Sequence, residues 1–182
     1  MLRTFSEALA RVEMVAAAVL AGAVTLLILL NIVSRSLGMA IYWVDELAIY
    51  AMVWTTFLAT SVVLKRRQVI AVTILVDLLG ERSRAWMQCI SDLMILIFGV
   101  SLMVLCWRWL DPATLYTFGF DIRAFQGDTF NFVYSEKTNT LGALKIWPWL
   151  ILPFFSFTLT IHALNNMAGS LKQAVYFKRA SA

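Results

Sequence analysis

VEMVAAAVLAGAVTLLILLNIVS, residues 12–34, is apolar along nearly its whole length. An α-helix needs about 20 such residues to cross the ~30 Å of bilayer hydrocarbon. Three further stretches have the same character: Trp43–Leu64, Ala85–Leu110 and Ile146–Leu171. Together the four cover more than half of the 182 residues. The chain therefore reads as an all-α integral membrane protein, a single four-helix membrane domain over residues 1–182. Basic residues precede the first stretch, but its length exceeds the apolar core of about 7–15 residues found in a cleaved signal, so it reads as a retained helix.

Composition agrees. Hydrophobic residues make up 61% of the chain and charged residues 14%, against about 25% charged in soluble domains. The net charge of +4 does not point to nucleic acid, because basic residues flank membrane helices for topological reasons. Ten of the fifteen Lys and Arg fall on one side of the four helices, in the N-tail, the connection between segments two and three, and the C-tail. That side is expected to be cytoplasmic, with both termini inside.

The connections differ in character. Ser36–Tyr42 is short and makes segments one and two an antiparallel hairpin. Within Lys65–Arg84, the 13 residues 68–80 are apolar apart from Gln68, Thr73 and Asp77. A helix of that length spans only about 20 Å. It is expected to lie in the membrane interface, anchored by Lys65, Arg66 and Arg67. The outer connection, residues 111–144, is too small for an independent core and should rest on the membrane surface or on a partner. Trp107, Trp109, Trp147 and Trp149 mark the membrane interface at the outer ends of segments three and four. Pro148 is tolerated near a helix start, whereas Pro153 threatens a kink.

Two constellations could carry function. Arg35 ends segment one, while Asp45 and Glu46 open segment two, so each charge complements a helix dipole. The hairpin brings them to one corner. Trp43, Tyr50 and Trp54 continue from that corner at about helical spacing. Ion pairing within the chain explains the charges, and docking of another membrane subunit explains the charges and aromatics together. The second constellation is Asp92, at membrane depth in segment three, with His162, the only histidine, at similar depth in segment four. Ionisable groups at such depth face protein and take a partner, so an Asp92–His162 pair is expected.

No residue set reads as catalytic, cofactor-binding or metal-ligating. One histidine excludes a bis-histidine haem anchor, and no phosphate loop, HExxH or GxSxG occurs. Cys89 and Cys106 lie about 25 Å apart along one helix and read as small packing residues. No inverted repeat with paired broken helices is present.

Asn31-Ile-Val-Ser-Arg35, then Tyr42-Trp43-Val-Asp-Glu46-Leu-Ala, then Val53-Trp54-Thr-Thr-Phe57-Leu58, then Leu64-Lys-Arg-Arg67 resembles the small membrane subunit (DctQ-type) of tripartite ATP-independent periplasmic (TRAP) transporters. The family pattern continues with a His-Ile-x-Val segment, where this chain has Val69-Ile70. The resemblance implies an accessory permease subunit, not an enzyme, and no cofactor. It implies two protein partners, a large TRAP membrane subunit and a periplasmic solute-binding protein. It also implies ion-gradient-driven uptake of a solute, typically an organic acid. The competing reading, a membrane anchor of a redox enzyme, is weakened by the single histidine.

Overall fold

The computed structural model describes residues 2–68 and 80–180. Its helices are α1 (Leu2–Ser36), α2 (Tyr42–Lys65), α3 (Glu81–Leu110), α4 (Pro112–Thr117), α5 (Ile122–Thr129), α6 (Ile146–Trp149) and α7 (Ile151–Ala180). Four helical stretches, Leu2–Ser36, Tyr42–Lys65, Ser83–Thr117 and Ile146–Gln173, are long and apolar enough to cross a membrane. The all-α membrane class is thus the observed one. The helix expected over about 68–80 lies outside the described residues.

Local sequence explains the helix ends. Gly38 adopts φ +75° and closes α1 with paired bonds, Gly38 N–H to the Arg35 carbonyl (3.0 Å) and Met39 N–H to the Ser34 carbonyl (2.9 Å). This glycine cap satisfies two carbonyls that the helix end would leave open. The same pair of bonds ends α2, from Arg67 N–H to Leu64 and Gln68 N–H to Val63. There the left-handed position belongs to Arg67, at φ 54°, where a side chain costs roughly 1–2 kcal/mol. Asp111 and Asp121 cap α4 and α5 through their carboxylates, as aspartates before helices do. Pro153 lacks an N–H and its ring crowds the carbonyl four residues back. The helix accordingly breaks at Leu150, between α6 and α7.

Burial along α1 and α3 follows a seven-residue rhythm. On α1 the covered positions are Ser6, Ala10, Glu13 and Ala17, continuing through the partly covered Leu20, Val24, Leu27 and Asn31 to Ser34. On α3 they include Ala85, Asp92, Gly99 and Cys106, with Cys89 beside them. Alternating steps of three and four make a narrow seam of the coiled-coil kind. Both cysteines are free and buried, as packing residues are. Only 6% of the most apolar window of α1 is buried, against 44% for α7. Most of α1 therefore faces away from the chain itself.

Contacts divide the chain into two compact units. The first comprises Met1–Val15, Leu58–Met103 and Phe154–Ala182; the second comprises Ala16–Phe57 and Val104–Pro153. In the first, α3 meets α7 at a glycine: a Cβ on Gly99 would stand 2.9 Å from Thr160 Oγ1 and 3.4 Å from its backbone nitrogen. Small residues permit such backbone approach. In the second, the segment expected to be a bare loop carries α4, α5 and an antiparallel bridge between Lys137 and Leu144. Leu115, Phe125 and Val133 are buried, and Phe125 meets Tyr134 edge-on at 5.8 Å. Trp109 and Trp149 also pack edge-on, at 5.8 Å. Tyr134 and Asn131 hydrogen-bond the carbonyls of Leu110 and Trp109, so the segment seats on the end of α3.

Gly99→Leu should force α3 and α7 apart and destabilise the protein by about 1–3 kcal/mol, the usual cost of overpacking. Thermal unfolding in mild detergent measures it; an unchanged transition would show that the close approach is dispensable.

Candidate functional site

Charge at membrane depth needs a partner, and the structure supplies one at each place. In the first unit, His162 and Glu13 are each 1% exposed, with Nε2 and Oε2 3.0 Å apart. The other ring nitrogen, Nδ1, lies 2.8 Å from Ser6 Oγ. Ser6 in turn accepts from Lys65 Nζ at 2.7 Å, and Lys65 pairs with Glu7 at 3.1 Å. Ser61 donates to the Glu13 carboxylate and lies 3.4 Å from Thr158 Oγ1. One order of donors runs through the cluster: Lys65 to Ser6, Ser6 to Nδ1, and Nε2–H to Glu13.

A second cluster lies in the same unit. Arg67 Nη2 sits 2.5 Å from Asp92 Oδ2 and 2.5 Å from Ser170 Oγ, while Nη1 donates to Gln88 at 3.1 Å. Ser170 donates to the same Asp92 oxygen. The left-handed backbone of Arg67 aims the guanidinium into this cluster, a strained residue held where the surroundings fix it. Asp92 and His162 are therefore not a pair. Both ring nitrogens of His162 are taken by Ser6 and Glu13, and Asp92 is taken by Arg67 and Ser170. Depth along the helix put the two residues at one level, but the partners of each show that they join separate clusters.

In the second unit the hairpin corner forms as expected. Arg35 Nη2 lies 2.6 Å from Asp45 Oδ2, with the side chains 58% and 41% exposed. Asn31 bridges the two, accepting from Arg35 Nε at 2.9 Å and donating to Asp45. Glu46 does something else. Its carboxylate accepts the backbone N–H groups of Asn139 (2.8 Å), Thr140 (2.7 Å) and Leu141 (3.0 Å). It also accepts the hydroxyls of Thr140 at 2.6 Å and Tyr50 at 3.1 Å. Trp54 donates its indole N–H to the Pro148 carbonyl at 2.9 Å. Of the six residues at the corner, then, Glu46 binds the chain's own outer segment, Tyr50 donates to Glu46, and Trp54 binds α6. Arg35, Asp45 and the exposed Trp43 remain turned outward. Beside the outer segment Glu136 accepts from Lys145, and that hydrogen bond is the main cause holding the Lys145 ammonium above its ordinary pKa.

Sequence reasoning missed Glu13, Ser6 and the docking of Glu46. Glu13 and Ser6 had a signal: they fall on the three-four rhythm of α1, where a charge inside an apolar seam demands a partner. The partners of Glu46 are mostly backbone N–H groups, which any residue supplies, so nothing in the sequence marks them.

Chemically, these clusters are closed. No buried side-chain nitrogen or oxygen among the described residues lacks a hydrogen-bond partner, and no group of three metal-ligating side chains occurs among them. Their contacts join residues far apart in the chain.

Three substitutions test these assignments. His162→Leu leaves Glu13 buried without its imidazole and should cost about 3–5 kcal/mol. Adding Glu13→Leu should recover a large part of that loss in detergent unfolding, whereas additive losses would show that the two act separately. Glu46→Ala should speed hydrogen exchange of the Asn139, Thr140 and Leu141 amides at least about tenfold, the ratio that ~1.4 kcal/mol represents. Unchanged exchange there would mean that the outer segment is held by other contacts.

No curated protein matches the chain, and no solved structure matches it. The family model described as "Tripartite ATP-independent periplasmic transporters, DctQ component" matches residues 24–173, a span holding the corner, Asp92 and His162. The chain belongs to the DctQ component family of tripartite ATP-independent periplasmic transporters.

Proposed function

We propose that this chain is the small scaffold subunit of its transporter, and that a large membrane subunit carries the solute. One observation supports this above others: Glu13, His162, Lys65 and Asp92, the buried ionisable groups of the first unit, are each bound to another side chain of the same protein. A transport path needs groups that can release one partner and take a solute or ion. In these clusters the partners are the chain's own helices, and only 6% of the most apolar window of α1 is buried. Lipid and a larger membrane protein are what such a surface fits.

In this reading Arg35, Asp45 and Trp43 form the edge that meets the large subunit. Glu46 acts behind them by holding the outer segment, Tyr50 supports its carboxylate, and Trp54 ties α2 to α6. The outer segment exposes Tyr116, Phe120, Phe130 and Phe132, a surface suited to the periplasmic solute-binding protein. Uptake is driven by an ion gradient and the solute is an organic acid, as the family resemblance implies. The side bearing ten Lys and Arg is cytoplasmic, and both termini lie there.

Purification of the tagged chain from its native membrane in mild detergent should recover a large polytopic membrane protein, identified by mass spectrometry. Recovery of a haem- or flavin-bearing partner would favour the redox-anchor reading instead. Arg35→Glu should lower recovery of the large subunit several-fold. An exposed ion pair contributes only about 0–1 kcal/mol to folding, so a large loss would report on docking rather than on the subunit's own stability. Full recovery with Arg35→Glu would remove the corner from the interface.

A further inference from the structure

A cavity of about 380 Å³ opens in the first unit, lined by Arg3, Arg67, Asn165, Asn166, Lys172 and Gln173. That volume falls in the range of small-ligand sites, about 300–1,000 Å³. Among the described residues three cations and three carboxamides line it, and no acidic side chain does. Two carboxylates of this unit are already paired: Asp92, nearly sealed from solvent, with Arg67, and Glu7 with Lys65. Lys172 forms no ion pair among the described residues. Arg67 is fixed, because Asp92, Gln88, Ser170 and the Asn166 carbonyl all hold its guanidinium. A third of its side chain remains exposed. Gly169, on the wall, has nothing within 4 Å of where a Cβ would sit, so the cavity is open there.

Placement narrows the ligand. Arg67 follows the end of α2, and Lys172 lies at the end of the apolar stretch of α7, the depth at which phospholipid headgroups lie. Residues 161, 165, 168 and 172 share one face of α7, since steps of three and four return to the same side of a helix. From Asn165 and Lys172 this face runs on to Ile161 and the exposed Leu164. An apolar strip thus leads away from the basic cavity along the direction that acyl chains take.

We infer that this cavity binds the phosphate headgroup of an anionic phospholipid, with Arg3, Arg67 and Lys172 neutralising the phosphate and the carboxamides of Asn165 and Gln173 donating to its oxygens. Basic pockets between membrane helices take such headgroups. The inference does not rest on the transporter reading. It needs only that the helices span a bilayer, so it can fail while the scaffold role stands, and the reverse.

The test is native mass spectrometry of the full chain, stripped of lipid in detergent and titrated with phosphatidylglycerol, cardiolipin, phosphatidylcholine or inorganic phosphate. The intact chain should retain phosphatidylglycerol or cardiolipin well above phosphatidylcholine, and added salt should weaken only the anionic lipids. Removing one cation by Arg3→Gln or Lys172→Gln should weaken retention about fivefold, and removing both roughly thirtyfold. Arg123→Gln, which removes an exposed cation from α5, should leave retention unchanged. Far-UV circular dichroism like that of the intact chain establishes that each variant is folded. Three results would overturn the inference: equal retention of phosphatidylcholine, an equal loss with Arg123→Gln, or displacement of the lipid by inorganic phosphate, which would make the cavity a site for the free ion.

Discussion

An ionised carboxylate has no place in hydrocarbon unless something polar meets it, and in this protein the requirement falls on Glu13. The residue lies inside the apolar part of α1, on its covered seam, with almost no exposed surface. His162 from α7 and Ser61 from α2 supply the contacts. Taking away one member of a buried ion pair costs several kcal/mol, more than the pair contributes over apolar side chains of the same size. The arrangement therefore acts as a specification. A register that moved Glu13 away from Ser61 and His162 would cost its carboxylate these contacts. Specificity of this kind is a known use of buried polar groups, among them single polar residues that set the register of coiled coils.

The second unit uses the same principle at its exposed end. Glu46 gathers three consecutive backbone N–H groups and two hydroxyls onto one carboxylate. A segment of about thirty residues too small to build its own core becomes ordered because one anion fixes its returning strand. The seating of Tyr134 and Asn131 on the last carbonyls of α3 fixes the other side. Arg35 and Asp45 stay on the outside of this construction, which is why the charges of one short motif divide between holding the chain together and facing outward.

Hydrophobic length was enough to read four membrane helices, because no other arrangement satisfies that much backbone in lipid. Pro153 marked the break before α7, since it acts through its own backbone geometry. The Arg35–Asp45 contact was legible because seven residues of hairpin leave those charges nowhere else to go. The inner contacts were not. Asp92 and His162 share a depth, and depth follows from counting residues, whereas partners follow from azimuth around a helix whose neighbours the sequence does not name. Arg67 was read as an anchor in a basic run; its inward turn depends on a left-handed residue that sequence statistics assign to glycine. The family resemblance, carried by the hairpin, was sound, and the match over residues 24–173 extends it across most of the chain.

The order in which the ribosome makes these residues has a consequence for the cell. Glu13 enters the membrane with the first helix, Ser61 arrives with the second, and His162 follows 149 residues after Glu13. Until the last helix inserts, the nascent chain holds a carboxylate in the bilayer with only part of its coordination. A chain truncated before α7 would stay in that state permanently, with a polar defect in an otherwise apolar hairpin. Membrane quality control could recognise such a defect, so the pair that registers the finished helices also distinguishes complete subunits from incomplete ones before any partner is met.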